Sequence, residues 1–232
     1  MHSAIRRLLA AAVLISSVSL ISGCATQGPT EEHDPLEGFN RAMYSFNDTI
    51  DKAILKPVAQ GYDAVLPAPA SKGVSNFFSN IDDVVVIFND LLQLKFAQAA
   101  SDTARVVFNS TLGLFGLIDV ASGMDLPKHN EDFGQTLGYW GLGDGPYLVL
   151  PFFGPSSARD TVGLVGDIYI DPVFDINQHA ERNATLILRT IDTRAGLLSA
   201  SKVLKEAALD PYIFVRDAYL QRRQSLVEDK IR

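Results

Sequence analysis

The chain has 232 residues, a length for one or two domains, and 47% hydrophobic against 20% charged residues excludes both a disordered chain and a polytopic membrane protein. Twenty Lys and Arg against 27 Asp and Glu leave a formal charge of −7, the wrong sign for a protein that grips nucleic acid by displacing counterions. A single cysteine excludes an internal disulfide framework and any cysteine-cluster metal site.

That cysteine ends an address. Arg6 and Arg7 precede the apolar run Leu8–Ile15, which continues through Ser16–Ile21 with no acidic residue. About 20 apolar residues are needed to cross a bilayer core, so the run reads as a secretory leader. It closes on Ile21-Ser22-Gly23-Cys24, which resembles the bacterial lipobox. Small residues fit the peptidase, and the Cys24 thiol takes the diacylglycerol. Residues 1–23 are therefore assigned to the leader, residues 24–33 to an acylated tether, and residues 34–232 to one domain. Position 25 is Ala rather than Asp, which by resemblance to the bacterial sorting rule directs the protein to the outer membrane. Ten residues from Cys24 to Asp34 reach at most ~33 Å, so the domain stays at the membrane surface or within it.

The domain is predicted to be mainly α. Asp34-Pro35-Leu36-Glu37 reads as a capped helix start with Asp34 as N-cap, and Leu36, Phe39, Met43, Phe46, Ile50 and Ile54 form a 3.6-period stripe. Pro57 and Gly61 are expected to end that helix, and Leu66–Pro69 to form a loop. Ser71 is read as the cap of a second helix, Ile81–Phe96 as a buried helix, and Ser101 as the cap of a third. Residues 121–155 hold seven glycines and four prolines, which forbids a long helix; Tyr147–Leu150 suits a short strand. Ser156 or Ser157 caps a helix towards Gly166, Asp171-Pro172 breaks the chain, a long helix starts at Asn177, and Asp210-Pro211 opens the last one.

Motifs for chemistry are missing. There is no G-x-x-x-x-G-K-[ST] and no G-x-S-x-G, and His2, His33, His129 and His179 have no metal-ligand spacing, so no cofactor, metal or catalytic residue is expected. Leu112-Gly113-Leu114-Phe115-Gly116-Leu117-Ile118 is the most informative apolar stretch. It reads either as a core segment or as an edge in contact with lipid.

Several stretches together resemble the MlaA/VacJ family of outer-membrane lipoproteins. They are Asp34–Arg41 with Met43-Tyr44 and Phe46-Asn47; Asn109–Gly113 with Gly116–Ala121; Glu131–Gly138; Gly145–Pro151 with Gly154–Ser156; and Asp210–Tyr212 with Val215-Arg216. The resemblance implies a single ring-like helical domain with an amphipathic channel. Such a ring sits partly embedded in the inner leaflet of the outer membrane, on its periplasmic side, beside a trimeric porin. It takes phospholipids from the outer leaflet and passes them to a periplasmic carrier linked to an inner-membrane ABC transporter; no nucleic acid is involved. On this reading Leu112, Leu114, Phe115, Leu117 and Ile118 face acyl chains. Asn40, Arg41, Asn47 and Asp48 line the channel or simply face solvent, and Gly141, Gly143 and Gly145 shape or gate it. A structural lipoprotein that braces porins and, more remotely, a lipid hydrolase are the alternatives.

Cys24→Ala should abolish incorporation of radiolabelled palmitate and release the chain from the outer-membrane fraction; normal retention of the variant would refute the anchor.

Overall fold

The computed structural model describes residues 34–228, so the leader, Cys24 and the tether lie outside the described residues. The chain begins with a long helical rod. Helix α1 (Glu37–Ile50) runs through a π-helical turn, Asp51–Leu55, into α2 (Lys56–Val65). Pro57 does not end the rod as expected. Its missing N–H and its ring are incompatible with an ordinary i→i−4 ladder, and the wider π turn just before it absorbs the mismatch. Nor does Asp34 cap α1, whose N-terminal flanking residue is Leu36 with no side-chain cap. Asp34 is instead fully buried: its carboxylate accepts from Asn40 Nδ2 (2.8 Å), Tyr212 OH and Arg216.

Helix α3 (Ala68–Leu92) is one 25-residue helix, about 37 Å long, where two had been read. Ser71 and Ser101 fall inside helices and cap nothing. Helix α4 (Phe96–Thr111) folds back along α3. The turn between them is closed by Leu94 in the left-handed region and by the Lys95 N–H on the Asp90 carbonyl, at 2.9 Å.

After a short 3₁₀ turn, α5 (Phe133–Tyr139) is capped by Asp132, whose side chain accepts from the Gln135 N–H. Strands β1 (Tyr147–Leu150) and β2 (Gly154–Ser157) pair antiparallel, Tyr147 opposite Ser157. Ser157 caps α6 (Ala158–Ile170), and Asp171 caps the 3₁₀ turn Pro172–Asp175. Helices α7 (His179–Gly196), α8 (Leu198–Ala207) and α9 (Pro211–Glu228) complete the chain. Helices α5 and α6 cross where Gly134 meets Gly163; a Cβ on Gly163 would lie 2.4 Å from the Gly134 nitrogen.

The elements close a circuit: α1 packs on β1, β1 on β2, β2 on α6, α6 on α3, α3 on α7, and α7 on α2, which continues α1. Two amides fasten the first joint. Asn40 Nδ2 donates to the Tyr147 carbonyl (3.0 Å) while its Oδ1 accepts from the Val149 N–H (2.8 Å). Asn47 does the same to the Leu150 carbonyl (2.9 Å) and the Phe152 N–H (2.8 Å). Seven helical residues advance about 10.5 Å, three strand residues about 10 Å, so the two clamps stay in register. A second joint is bidentate: Arg194 of α7 holds both oxygens of Asp51, at 2.6 and 2.9 Å.

The α3–α4 hairpin is inverted relative to a water-soluble helix pair. Asn80, Asp83, Asp90, Asp102, Arg105 and Asn109 are buried between the helices, while Phe88, Leu91, Phe96 and Val107 are exposed. Across the described residues, 19 polar or charged residues are buried against nine apolar ones, whereas 32 large apolar residues are exposed. A buried charge survives only if paired or neutralised. Asp83 lies beside Lys128 and Arg105. Asp90 has no donor on either oxygen and faces Asp102, which also receives His129 Nδ1 at 2.9 Å. Burial and the adjoining Asp102 push Asp90 up to about 8, so at neutral pH it is an acid that donates to Asp102.

A carboxyl whose folded pKa exceeds its unfolded one loses stability as pH rises between the two values. Melting of the solubilised protein should therefore fall between about pH 4 and pH 8. Asp90→Asn, whose amide still donates to Asp102, should flatten that fall; equal slopes in both proteins would refute the shared proton.

Candidate functional site

Among the described residues lies a cavity of about 600 Å³, with a smaller one of about 210 Å³ beside it; the two share Asp132, Phe153, Leu164, Asp167, Tyr219 and Arg223. Its walls come from α3, α6, α7, α9 and the segment before α5. Val85, Leu164, Ile168, Phe174, Leu186 and Leu226 supply an apolar lining. Between them stand two groups of charges. In the first, Arg189 of α7 bridges Asp171 (2.6 Å) and Asp82 of α3. In the second, Arg223 of α9 holds the α5 cap Asp132 and the α6 residue Asp160, each within 2.9 Å, and Tyr219 donates to Asp160 at 2.5 Å.

These charges tune one another. Burial opposes ionisation of Asp132, but the Arg223 hydrogen bonds and charge hold it below the usual carboxylate range; Asp160 is depressed by Tyr219 and Arg223 against the same opposition. Burial depresses the Arg223 guanidinium less than the two carboxylates raise it. Asp167 differs. It accepts from the Phe133 N–H (2.9 Å) and from Asn89 (3.1 Å), but burial and the nearby Asp132 charge raise it to about 6.

The polar residues proposed for a channel lie elsewhere. Asn40 has no exposed surface, and its amide is committed to Asp34 and β1, so it fastens the ring and lines nothing. Asn47 is the second clamp. Arg41 stacks 4.4 Å over the Tyr212 ring and pairs with Glu37 and Asp210, and Asp48 pairs with Lys52. Gly141, Gly143 and Gly145 are exposed in the α5–β1 connection, with Gly141 and Gly145 at positive φ. None of these seven residues is in the cavity wall. The lining charges instead come from Asp82, Glu131, Asp132, Asp167, Asp171, Arg189 and the Arg222-Arg223 pair, which the sequence offers only as a chain break or background polarity.

The apolar loop behaves differently from a core segment. Leu112, Leu114, Phe115, Leu117 and Ile118 are all exposed, Phe115 by 79%. Leu114, Phe115 and Gly116 lie in the left-handed region one after another. Gly116 is required there: at φ +90° a Cβ would lie 2.8 Å from that of Asn80.

A family model described as MlaA lipoprotein matches residues 32–226. The chain is similar to the "Intermembrane phospholipid transport system lipoprotein MlaA" of Escherichia coli K12, at 40% identity over 216 residues covering 90% of this chain and 85% of the relative. It is also similar to the protein of that name from Haemophilus influenzae, at 35% over 224 residues, 93% and 89% of the two chains. A solved structure described as "Structural basis for maintenance of bacterial outer membrane lipid asymmetry" superposes with a TM-score of 0.73 at 36% identity, covering 84% of this chain and 98% of that one.

Removing one partner of a buried ion group costs about 3–5 kcal/mol. Arg223→Ala should destabilise the protein by that order at pH 7, and by less at pH 4, where the orphaned Asp132 and Asp160 take up protons. An unchanged melting temperature at pH 7 would show the group to be dispensable.

Proposed function

The chain belongs to the MlaA lipoprotein family, and on that footing we propose that it is an outer-membrane lipoprotein that preserves lipid asymmetry by removing phospholipids from the outer leaflet. The observation that carries this reading is the inside-out distribution of polarity: a charged, amphipathic cavity walled by α3, α6, α7 and α9, with polar residues buried and large apolar residues exposed across the described chain. No helix among the described residues is long and apolar enough to cross a membrane. On this reading the ring sits in one leaflet, held by an acylated Cys24 and by its exposed apolar residues.

The physics is that of a lowered barrier. A phosphate headgroup left bare in hydrocarbon costs many kcal/mol. A cavity wall with fixed carboxylates and guanidiniums replaces its water, while Val85, Leu164 and Ile168 keep acyl chains in apolar company. No bond is made or broken, so the direction of flux is set by what receives the lipid: a periplasmic carrier that feeds an inner-membrane ABC transporter. A trimeric porin beside the ring gives it a fixed place at the leaflet boundary. The Gly141–Gly145 connection, left-handed at both ends, is the natural hinge of the passage.

The loop Leu112–Ile118 is the wedge into acyl chains. Six of its seven backbone N–H groups are donated within the loop and the end of α4. That matters in hydrocarbon, where an unmade backbone hydrogen bond costs several kcal/mol.

Deleting the gene should raise outer-leaflet phospholipid, read by surface labelling of aminophospholipid on intact cells, and the wild-type chain should restore it. Leu114→Asp with Phe115→Asp should fold normally and restore it poorly, since each buried apolar side chain contributes about 1.5–3 kcal/mol. Unchanged asymmetry on deletion would end the transport reading.

A further inference from the structure

The charges that line the cavity are not all paired with one another. Five carboxylates line it: Asp82, Glu131, Asp132, Asp167 and Asp171. Four have cationic partners. Arg189 serves Asp82 and Asp171, Lys95 reaches Glu131 from outside the wall, and Arg223 serves Asp132. Asp167 alone has only neutral donors, the Phe133 N–H and the Asn89 amide. On the cationic side, Arg189 and Arg223 are engaged, and Arg222 is the lining guanidinium with no carboxylate partner among the described residues.

We infer that Arg222 and Asp167 form a headgroup subsite for a phospholipid that carries both a phosphate and a primary ammonium, the phosphoethanolamine class. The inference rests on the reading of the cavity as a lipid path. Arg222 offers a planar fork that matches two phosphate oxygens. Asp167 offers a carboxylate to an ammonium with three N–H donors. A phosphatidylglycerol headgroup satisfies Arg222 but leaves Asp167 uncompensated and adds a negative charge to a wall that already carries more carboxylates than guanidiniums. A phosphocholine headgroup brings a cation with no N–H to donate. The order expected is therefore phosphoethanolamine first, with the anionic glycerol headgroup last.

The test uses the acylated full-length protein in detergent micelles, with dioleoyl phosphatidylethanolamine and dioleoyl phosphatidylglycerol as competing probes and bound lipid counted by native mass spectrometry. Wild type should prefer phosphatidylethanolamine by about tenfold, the size of one charge-assisted hydrogen bond. Arg222→Gln, at an exposed position, should lower binding of both lipids by a similar factor. Asp167→Asn, which can still accept from the Phe133 N–H, should lower phosphatidylethanolamine binding alone and bring the ratio close to one. Free phosphoethanolamine should displace neither lipid at equal concentration; displacement by it would assign the subsite to a soluble ligand and overturn the lipid assignment. Equal binding of the two lipids by wild type, or a ratio that survives Asp167→Asn, would overturn the headgroup inference while leaving the transport reading intact. Failure of wild type to bind either lipid would overturn both.

Discussion

The fold rests on one constraint: charges taken out of water must meet each other. In an ordinary soluble domain, apolar burial organises the elements and polar groups remain outside. Here the buried set is dominated by carboxylates, amides and guanidiniums, so polar pairing decides which helices meet. Arg194 to Asp51 joins α7 to the first rod, Arg189 to Asp82 joins α7 to α3, and Arg223 to Asp132 and Asp160 joins α9 to the start of α5 and to α6. Each contact is directional, unlike apolar packing. A set of directional joints between rods holds the helices apart around a polar interior, where an apolar core of the same length would collapse.

Buried apolar side chains cluster at one small centre. Tyr147, Val149 and Tyr212 are buried together, with Met43, Tyr44, Tyr219 and Leu220 against them. This centre sits at the closure of the ring, where the first helix, the hairpin and the last helix meet. Asp34, Tyr212 and Arg216 add a hydrogen-bonded knot beside it. Asp34, the first described residue, is thereby tied to the last helix at the point where the circuit closes.

Local signals were legible where a single residue type carries the physics. The strand Tyr147–Leu150, the Ser157 cap, the break at Asp171-Pro172 and the start at Asp210-Pro211 all stand as the sequence reads. Asp210 indeed accepts from the Tyr212 N–H at 2.9 Å. The failures share a cause. Asp34 looks like a cap, and Asn40 and Asn47 look like a polar surface, because local pattern assumes that polar residues face water. Pro57 looks like a terminator because an α ladder cannot pass it, and nothing local announces a π turn. The cavity charges come from five separate segments, and only the ring brings them together. Recognition of the family supplied what periodicity could not: a ring, and therefore an inside.

The inverted polarity also explains the strain in the loop after α4. Leu114 and Phe115 in the left-handed region each cost about 1–2 kcal/mol, so the surrounding contacts must hold them in place. The conformation is fixed from behind. Asn76 donates to the Leu117 carbonyl at 3.1 Å, Gly116 leaves no room for a Cβ against Asn80, and Asn109 and Arg105 hold Asp119 at the loop's end. Polar side chains from the interior of the hairpin thus grip the loop's backbone, while its apolar side chains are pushed outward and its N–H groups are consumed internally. The same buried polar layer that sets the shape of the ring therefore also presents its most apolar edge, Leu112 to Ile118, with all five of its large side chains exposed.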